Sequence, residues 1–356
     1  MSVLTAARNE LFSRPQDEHF PDFRSLTVDA SQQKLRCVEV DAKDTSIEFD
    51  DDGQHIRFGD QLLRLTHFCL GQLAALCRVP MPVLKRLEGA TRAQVLNQTF
   101  PRTKRYKVGL VDGDRLRCVT SDRYERVWDA DILQEVDRWL LPSGFIPAMP
   151  TINTDVYGTN ALGTTKPALF RGDRDMFAFF YGDQQPGDDG FGGLRKGVMV
   201  FNSEVGAKSF GFSTFWFREM CANFLIWNPT DIKAQRARHM GSVRELVRAF
   251  RKELMGLGAT ITDAELDVFQ RAKETRFVSA GPDEDVRAAQ RLQREFRLSA
   301  ADAREAVELV RDPLNPGDFT VWGVVNGLTS AAKGPIHAAD RAARSELAGR
   351  VMELVR

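Results

Sequence analysis

Cysteine is scarce in this chain: five in 356 residues, scattered at Cys37, Cys69, Cys77, Cys118 and Cys221, with no C-x-x-C pair. That spacing excludes a disulfide framework and reads as reduced thiols in a cytoplasm. Histidine is equally sparse. His19, His55, His67, His239 and His337 stand far apart, with neither H-x-H nor H-E-x-x-H spacing, so no metal site is expected. Net charge is missing too, with 49 basic against 49 acidic residues. A global pull on nucleic acid or anionic membrane is thereby excluded; such binding must come from a local patch. No apolar run approaches the roughly 20 residues of a membrane-spanning helix. The N-terminal stretch lacks the apolar core of a secretion signal. Phosphate-cradling, nucleophile-elbow and dinucleotide motifs are also absent, so neither a cofactor nor a catalytic residue is expected.

What is present is an ordinary core-forming chain, 43% hydrophobic. Residues 1–30 have weak periodicity and read as an arm or loosely docked segment. Residues 31–100 read as short strands followed by helices, with a turn at Asp52-Gly53 and Thr66 as a helix cap. Residues 101–232 read as an α+β core. It holds a hairpin at Asp112-Gly113, a helix with Ile132, Leu133, Val136 and Leu140 on one side, and antiparallel strands. The run FWFREMCANFLIW, which includes Arg218 and Asn223, reads as an apolar helix. Residues 233–356 read as helices punctuated by Pro282, Pro313, Pro316 and Pro335. The predicted class is α+β: an antiparallel β-sheet core packed with helices, then a mostly α-helical C-terminal third.

Two basic features stand out. RTKRYK places Arg102, Lys104, Arg105 and Lys107 beside Tyr106 with no acid between them. Such a run can grip phosphates while Tyr106 stacks on a base, or it can simply guard a strand edge. Further on, Arg244, Arg248, Arg251 and Lys252 share one helix face, opposite Val243, Leu246, Val247, Phe250 and Leu254. That stripe is either a wet face or an anion-binding surface. Acids are less informative. Asp183, Asp188 and Asp189 lie in a glycine-rich loop that either holds a divalent ion or is a solvated hairpin loop, and Glu204 sits in a turn; Asp188, Asp189 and Glu204 are the acids a metal-dependent nuclease would use. The turn NSEVGAKS reads as a hairpin connection. Gly206 supplies a positive φ, and Asn202 and Ser203 bond nearby backbone. Asn202 or Glu204 is expected to reach Arg218 or Asn223.

Several ordered motifs resemble the phage/plasmid-like protein family of domains of unknown function (DUF932). Ser121, Arg123 and Tyr124 match its S-x-R-Y step. Asn202, Ser203, Gly206 and Ser209 match its N-S-x-x-G-x-x-S turn. Arg218, Cys221 and Asn223 match its R-x-x-C-x-N helix, and His239 with Gly241 its H-x-G. Phe224 stands where many members carry glycine. The resemblance implies a protein of a mobile element. The order of elements between Tyr106 and Trp227 is also similar to the core of phage single-strand-annealing recombinases, which bind in basic grooves and oligomerise. Together these imply a non-catalytic, single-strand-preferring DNA-binding protein of a bacterial host's cytoplasm, with homo-oligomers as further partners and no membrane. The expected phosphate and base contacts are Arg102, Lys104, Arg105, Tyr106, Lys107, Arg123, Tyr124, Arg244, Arg248 and Arg251. A nuclease or nucleotide-processing enzyme and a protein-interaction module are the alternatives.

Overall fold

The computed structural model describes residues 16–41, 47–58, 60–101, 108–148, 167–183, 193–218, 235–237, 243–311, 318–331 and 347–355. Asp22 starts the first helix, α1 (Phe23–Arg36), by accepting a hydrogen bond from the Ser25 amide at 2.7 Å. Four strands follow: β1 (Cys37–Asp41), β2 (Ile47–Phe49), β3 (His55–Phe58) and β4 (Gln61–Leu65). Thr66 then caps α2 (His67–Leu76), and α3 (Met81–Leu84) and α4 (Gly89–Thr99) succeed it. The Asp112-Gly113 hairpin joins β5 (Val108–Asp112) to β6 (Arg115–Thr120). These strands form a six-stranded sheet in the order β1-β5-β6-β4-β3-β2. Its helix-covered face buries Ile56, Phe58, Leu63, Leu73, Leu96 and Leu116.

The second sheet begins after α5 (Asp129–Glu135) and a π-helical turn at Val136–Leu140. Its strands are β7 (Phe145–Pro147), β8 (Leu169–Arg171), β9 (Met176–Gly182), β10 (Leu194–Asn202), β11 (Phe210–Arg218) and β12 (Gln235–Ala237). The order is β12-β11-β10-β9-β7, with β8 also paired to β9, and every pairing is antiparallel. Helices α1, α5 and α6 (Val243–Met255) cover it, burying Leu26, Ile132, Leu133, Phe212, Phe250 and Leu254. Further helices are α7 (Asp263–Glu274), α8 (Glu284–Phe296), α9 (Ala300–Val310) and α10 (Val321–Ala331), with a helical segment at 347–352. They form their own apolar core, which borrows Leu194 and Trp216 from the second sheet. The fold is α+β, with its strands before residue 240 and a helical C-terminal third.

Four expectations change. The segment read as a loose arm contains the first half of α1, whose Leu26 and Ala30 are fully buried. Its inward face also carries the buried Gln33, so its apolar periodicity is weak. The segment read as a helix from Phe215 starts as strand: β11 runs unbroken to Arg218, paired with β10 throughout. Phe, Thr and Trp on a ladder already begun at Phe210 favour the pleated form. The side chain of Arg218, and all of Asn223, lie outside the described residues. Next, the first sheet is mixed, because β4 and β6 run parallel. Finally, that sheet runs across residue 101: β5 and β6 belong with β1–β4 rather than with the second sheet.

Candidate functional site

The turn Asn202–Ser209 connects β10 to β11 as expected, and Gly206 adopts φ +80°. Yet the first half of this turn, Asn202–Val205, is buried. Asn202 and Ser203 are 0% exposed and Glu204 is 2% exposed. The Glu204 carboxylate accepts from Arg117 Nη1 at 2.7 Å, from the Asp129 amide at 2.9 Å and from Arg171 Nη2 at 3.5 Å. Arg126 Nη1 donates to the Glu204 carbonyl. Asn202 Nδ2 donates to the Val127 carbonyl and to Asp129 Oδ1. The turn is thus bound to β6, to the start of α5 and to β8; the contact to Arg218 or Asn223 expected from sequence falls outside the described residues. Glu204 has both oxygens engaged, which removes it as the nuclease acid. Asp188 and Asp189 lie outside the described residues. Among the described residues no group of three His, Cys, Asp or Glu side chains could hold a metal ion.

Arg171, at the end of β8, closes this network. Its Nε donates to Asp129 at 2.8 Å, Nη1 to Asp29 at 2.6 Å, and Nη2 to Gln33. Burial and the neighbouring Glu204 carboxylate push the Asp129 carboxyl up to about 6, with Arg171 and Asn202 opposing them. Burial disfavours the Arg117 and Arg171 cations, but their carboxylate neighbours outweigh it and hold both guanidiniums more firmly protonated than usual. Asp112 goes the other way. Burial alone would raise it, but hydrogen bonds from Gln33 and Arg36 bring it below the ordinary carboxylate range.

In front of the network lies a cleft of about 1200 Å³. One wall is a face of α2 bearing His67, Phe68, Gly71, Gln72 and Ala75. That i, i+1, i+4, i+5, i+8 spacing is one side of a helix. A Cβ placed on Gly71 would meet nothing within 4 Å, so this wall opens onto free space. The lining also carries Arg115 from β6, Arg174 from the β8–β9 turn and Lys208 from the β10–β11 turn, beside Asp17, Glu18, Asp173 and Asp175. Arg171, Asp29 and Gln33 form part of the lining, and Phe20 lies at the edge. Arg115 pairs with Asp173 at 3.8 Å; Arg174 and Lys208 share Asp175 at 3.0 and 3.3 Å.

The residues predicted to touch nucleic acid divide. Arg102, Lys104, Arg105, Tyr106 and Lys107 lie outside the described residues, as does the side chain of Arg244. Arg123 and Arg248 are exposed. Arg251 is engaged: Nε and Nη2 donate to both oxygens of Glu135, at 2.7 and 2.6 Å, pinning α6 to α5. Tyr124 is not a stacking platform. Its hydroxyl donates to the Ser203 carbonyl at 2.9 Å, its ring packs on Gly206, and the Arg126 guanidinium sits 5.3 Å from its centre. The residues missed in sequence are Arg117, Arg126, Asp129 and Arg171. The one signal, for Arg117 and Arg171, is an arginine set in an apolar strand, as in RLRCV and ALFRG. No family model, no curated protein and no solved structure matches this chain. Among the described residues no helix is long and apolar enough to cross a membrane.

Proposed function

We propose that this chain is a non-catalytic nucleic-acid-binding protein of the phage/plasmid-like kind, favouring single strands and acting in the cytoplasm of a bacterial host. One observation carries the reading: cations from three separate chain segments line one cleft, interleaved with acids and together with an aromatic-bearing helix face. Arg115, Arg174 and Lys208 are each 24–49% exposed at the side chain and pair with exposed Asp173 and with the buried Asp112 and Asp175. Exchanging Asp173 for a phosphate costs Arg115 little, because exposed ion pairs contribute about 0–1 kcal/mol, while Arg174 and Lys208 can add a phosphate contact and keep the buried Asp175. Phe20 and Phe68 are half-buried and offer faces for bases. The cleft is larger than the roughly 300–1000 Å³ common for small-molecule pockets, which suits an extended ligand. Arg123 and Arg248 add exposed charge elsewhere, and the basic run Arg102–Lys107 directly precedes β5 in the chain.

The test is a titration of labelled single- and double-stranded oligonucleotides at two salt concentrations. Single strands should bind more tightly, with a log–log salt slope of about 0.7 per neutralised phosphate. The double variant Arg115→Ala, Arg174→Ala should bind more weakly and flatten that slope. No binding at low salt sinks the reading. Tighter binding of duplex sinks the strand preference.

A further inference from the structure

Arg171 belongs to two environments at once. It lines the cleft together with Asp29 and Gln33, and it closes the buried Asp129–Glu204 carboxylate pair behind the wall. Its own side chain is 3% exposed, whereas Asp29 is 45% exposed. Asp29 is therefore the partner that an incoming anion can replace, while Asp129 and Glu204 stay in place. We propose that Arg171 is a proton-coupled phosphate receptor: a phosphate that takes the place of Asp29 drives proton uptake by the carboxylate pair behind it. The proposal rests on reading the cleft as a phosphate-binding groove.

The physical reason is competition for one cation. A phosphate carries at least as much negative charge as the carboxylate it displaces, and it draws the guanidinium toward the cleft. The two buried carboxylates then share less of the positive charge that keeps both of them ionised. Asp129, already pushed up to about 6, is the group placed to take the proton. The other charged and titratable groups around it are fixed by their own contacts. Arg117 from β6 holds Glu204, Arg126 binds Glu39 at 2.7 Å, and Tyr124 holds the Ser203 carbonyl. By linkage, protons must in turn tighten phosphate binding.

The experiment measures the heat of binding of a short oligo(dT) near neutral pH, in two buffers of different ionisation enthalpy, with affinities taken between about pH 8 and about pH 6. About half a proton should be taken up near pH 6.5, and affinity should rise about fivefold over that range. His67→Gln removes the imidazole that also lines the cleft, the side-chain type most often responsible for uptake near neutrality. Uptake should survive in His67→Gln and vanish in a folded Asp129→Asn. Binding without uptake in the wild type overturns the proposal and leaves the function above intact. So does uptake that disappears in His67→Gln or persists in Asp129→Asn. Absence of binding at low salt overturns both readings.

Discussion

The network behind the cleft and the helical core of α7–α10 are both buried, yet each is held by a different kind of fit. Around Glu204 the fit is one of charge: Arg117 and Glu204 are 2% and 1% exposed at the side chain, and each depends on the other to be tolerable there. In α10 the fit is one of shape. A Cβ on Gly327 would lie 2.2 Å from the Ala306 carbonyl oxygen, and one on Gly323 would lie 2.1 Å from that of Asp318. The helix is so close to its neighbours that backbone meets backbone. The lesson is that burial alone does not say what a region will tolerate. The first region should respond to pH and charge, the second to single methyl groups.

The sharpest way to break the charged region is Glu204→Ala, which strands Arg117 without its counter-ion. A loss of about 3–5 kcal/mol is expected in urea unfolding. Gly327→Ala is the counterpart in the helical core. Its methyl has no flexible neighbour to displace, so about 1–3 kcal/mol should be lost, with no dependence on pH.

A pH comparison separates the two regions further. The Asp129 carboxyl titrates higher when folded than its ordinary value of 3.8, so the folded state binds more protons between roughly pH 4 and 6. This term therefore adds stability as pH falls through that window and withdraws it as pH rises. The stability gap between wild type and Asp129→Asn should change by about 1 kcal/mol between pH 7 and pH 5, while the gap for Gly327→Ala stays constant. Asp112, held low, contributes with the opposite sign, and its contribution is lost only below the ordinary carboxylate range. The smallest effect is at the rim of the helical region. Thr262 and Glu265 form a reciprocal capping box at the start of α7, and Thr262→Ala should cost about 0.5–1 kcal/mol by thermal unfolding.

Much of the architecture was legible from local rules. Thr66 caps its helix, the Asp112-Gly113 hairpin forms, and Ile132, Leu133, Val136 and Leu140 are all fully buried, because each depends on residues close in sequence. The β10–β11 turn was legible for the same reason. What it holds was not. Arg117 and Glu204 are 87 residues apart, and Arg171 and Asp29 are 142 apart, so no spacing rule links them. An arginine in an apolar strand announces that a partner exists without saying where. The reading of Phe215–Arg218 as helix failed because an aromatic run fits either period, and the ladder to β10 decided it. Helix α1 was missed because part of what it buries is an amide rather than a methyl.

The Arg117–Glu204 pair also has a consequence for how the chain is made. Arg117 lies inside the first sheet, but its counter-ion is added to the growing chain 87 residues later. During synthesis Arg117 therefore has no counter-ion from this turn to be enclosed with until the turn after β10 has been added. The two sheets are separate ladders that complete one another's buried charge.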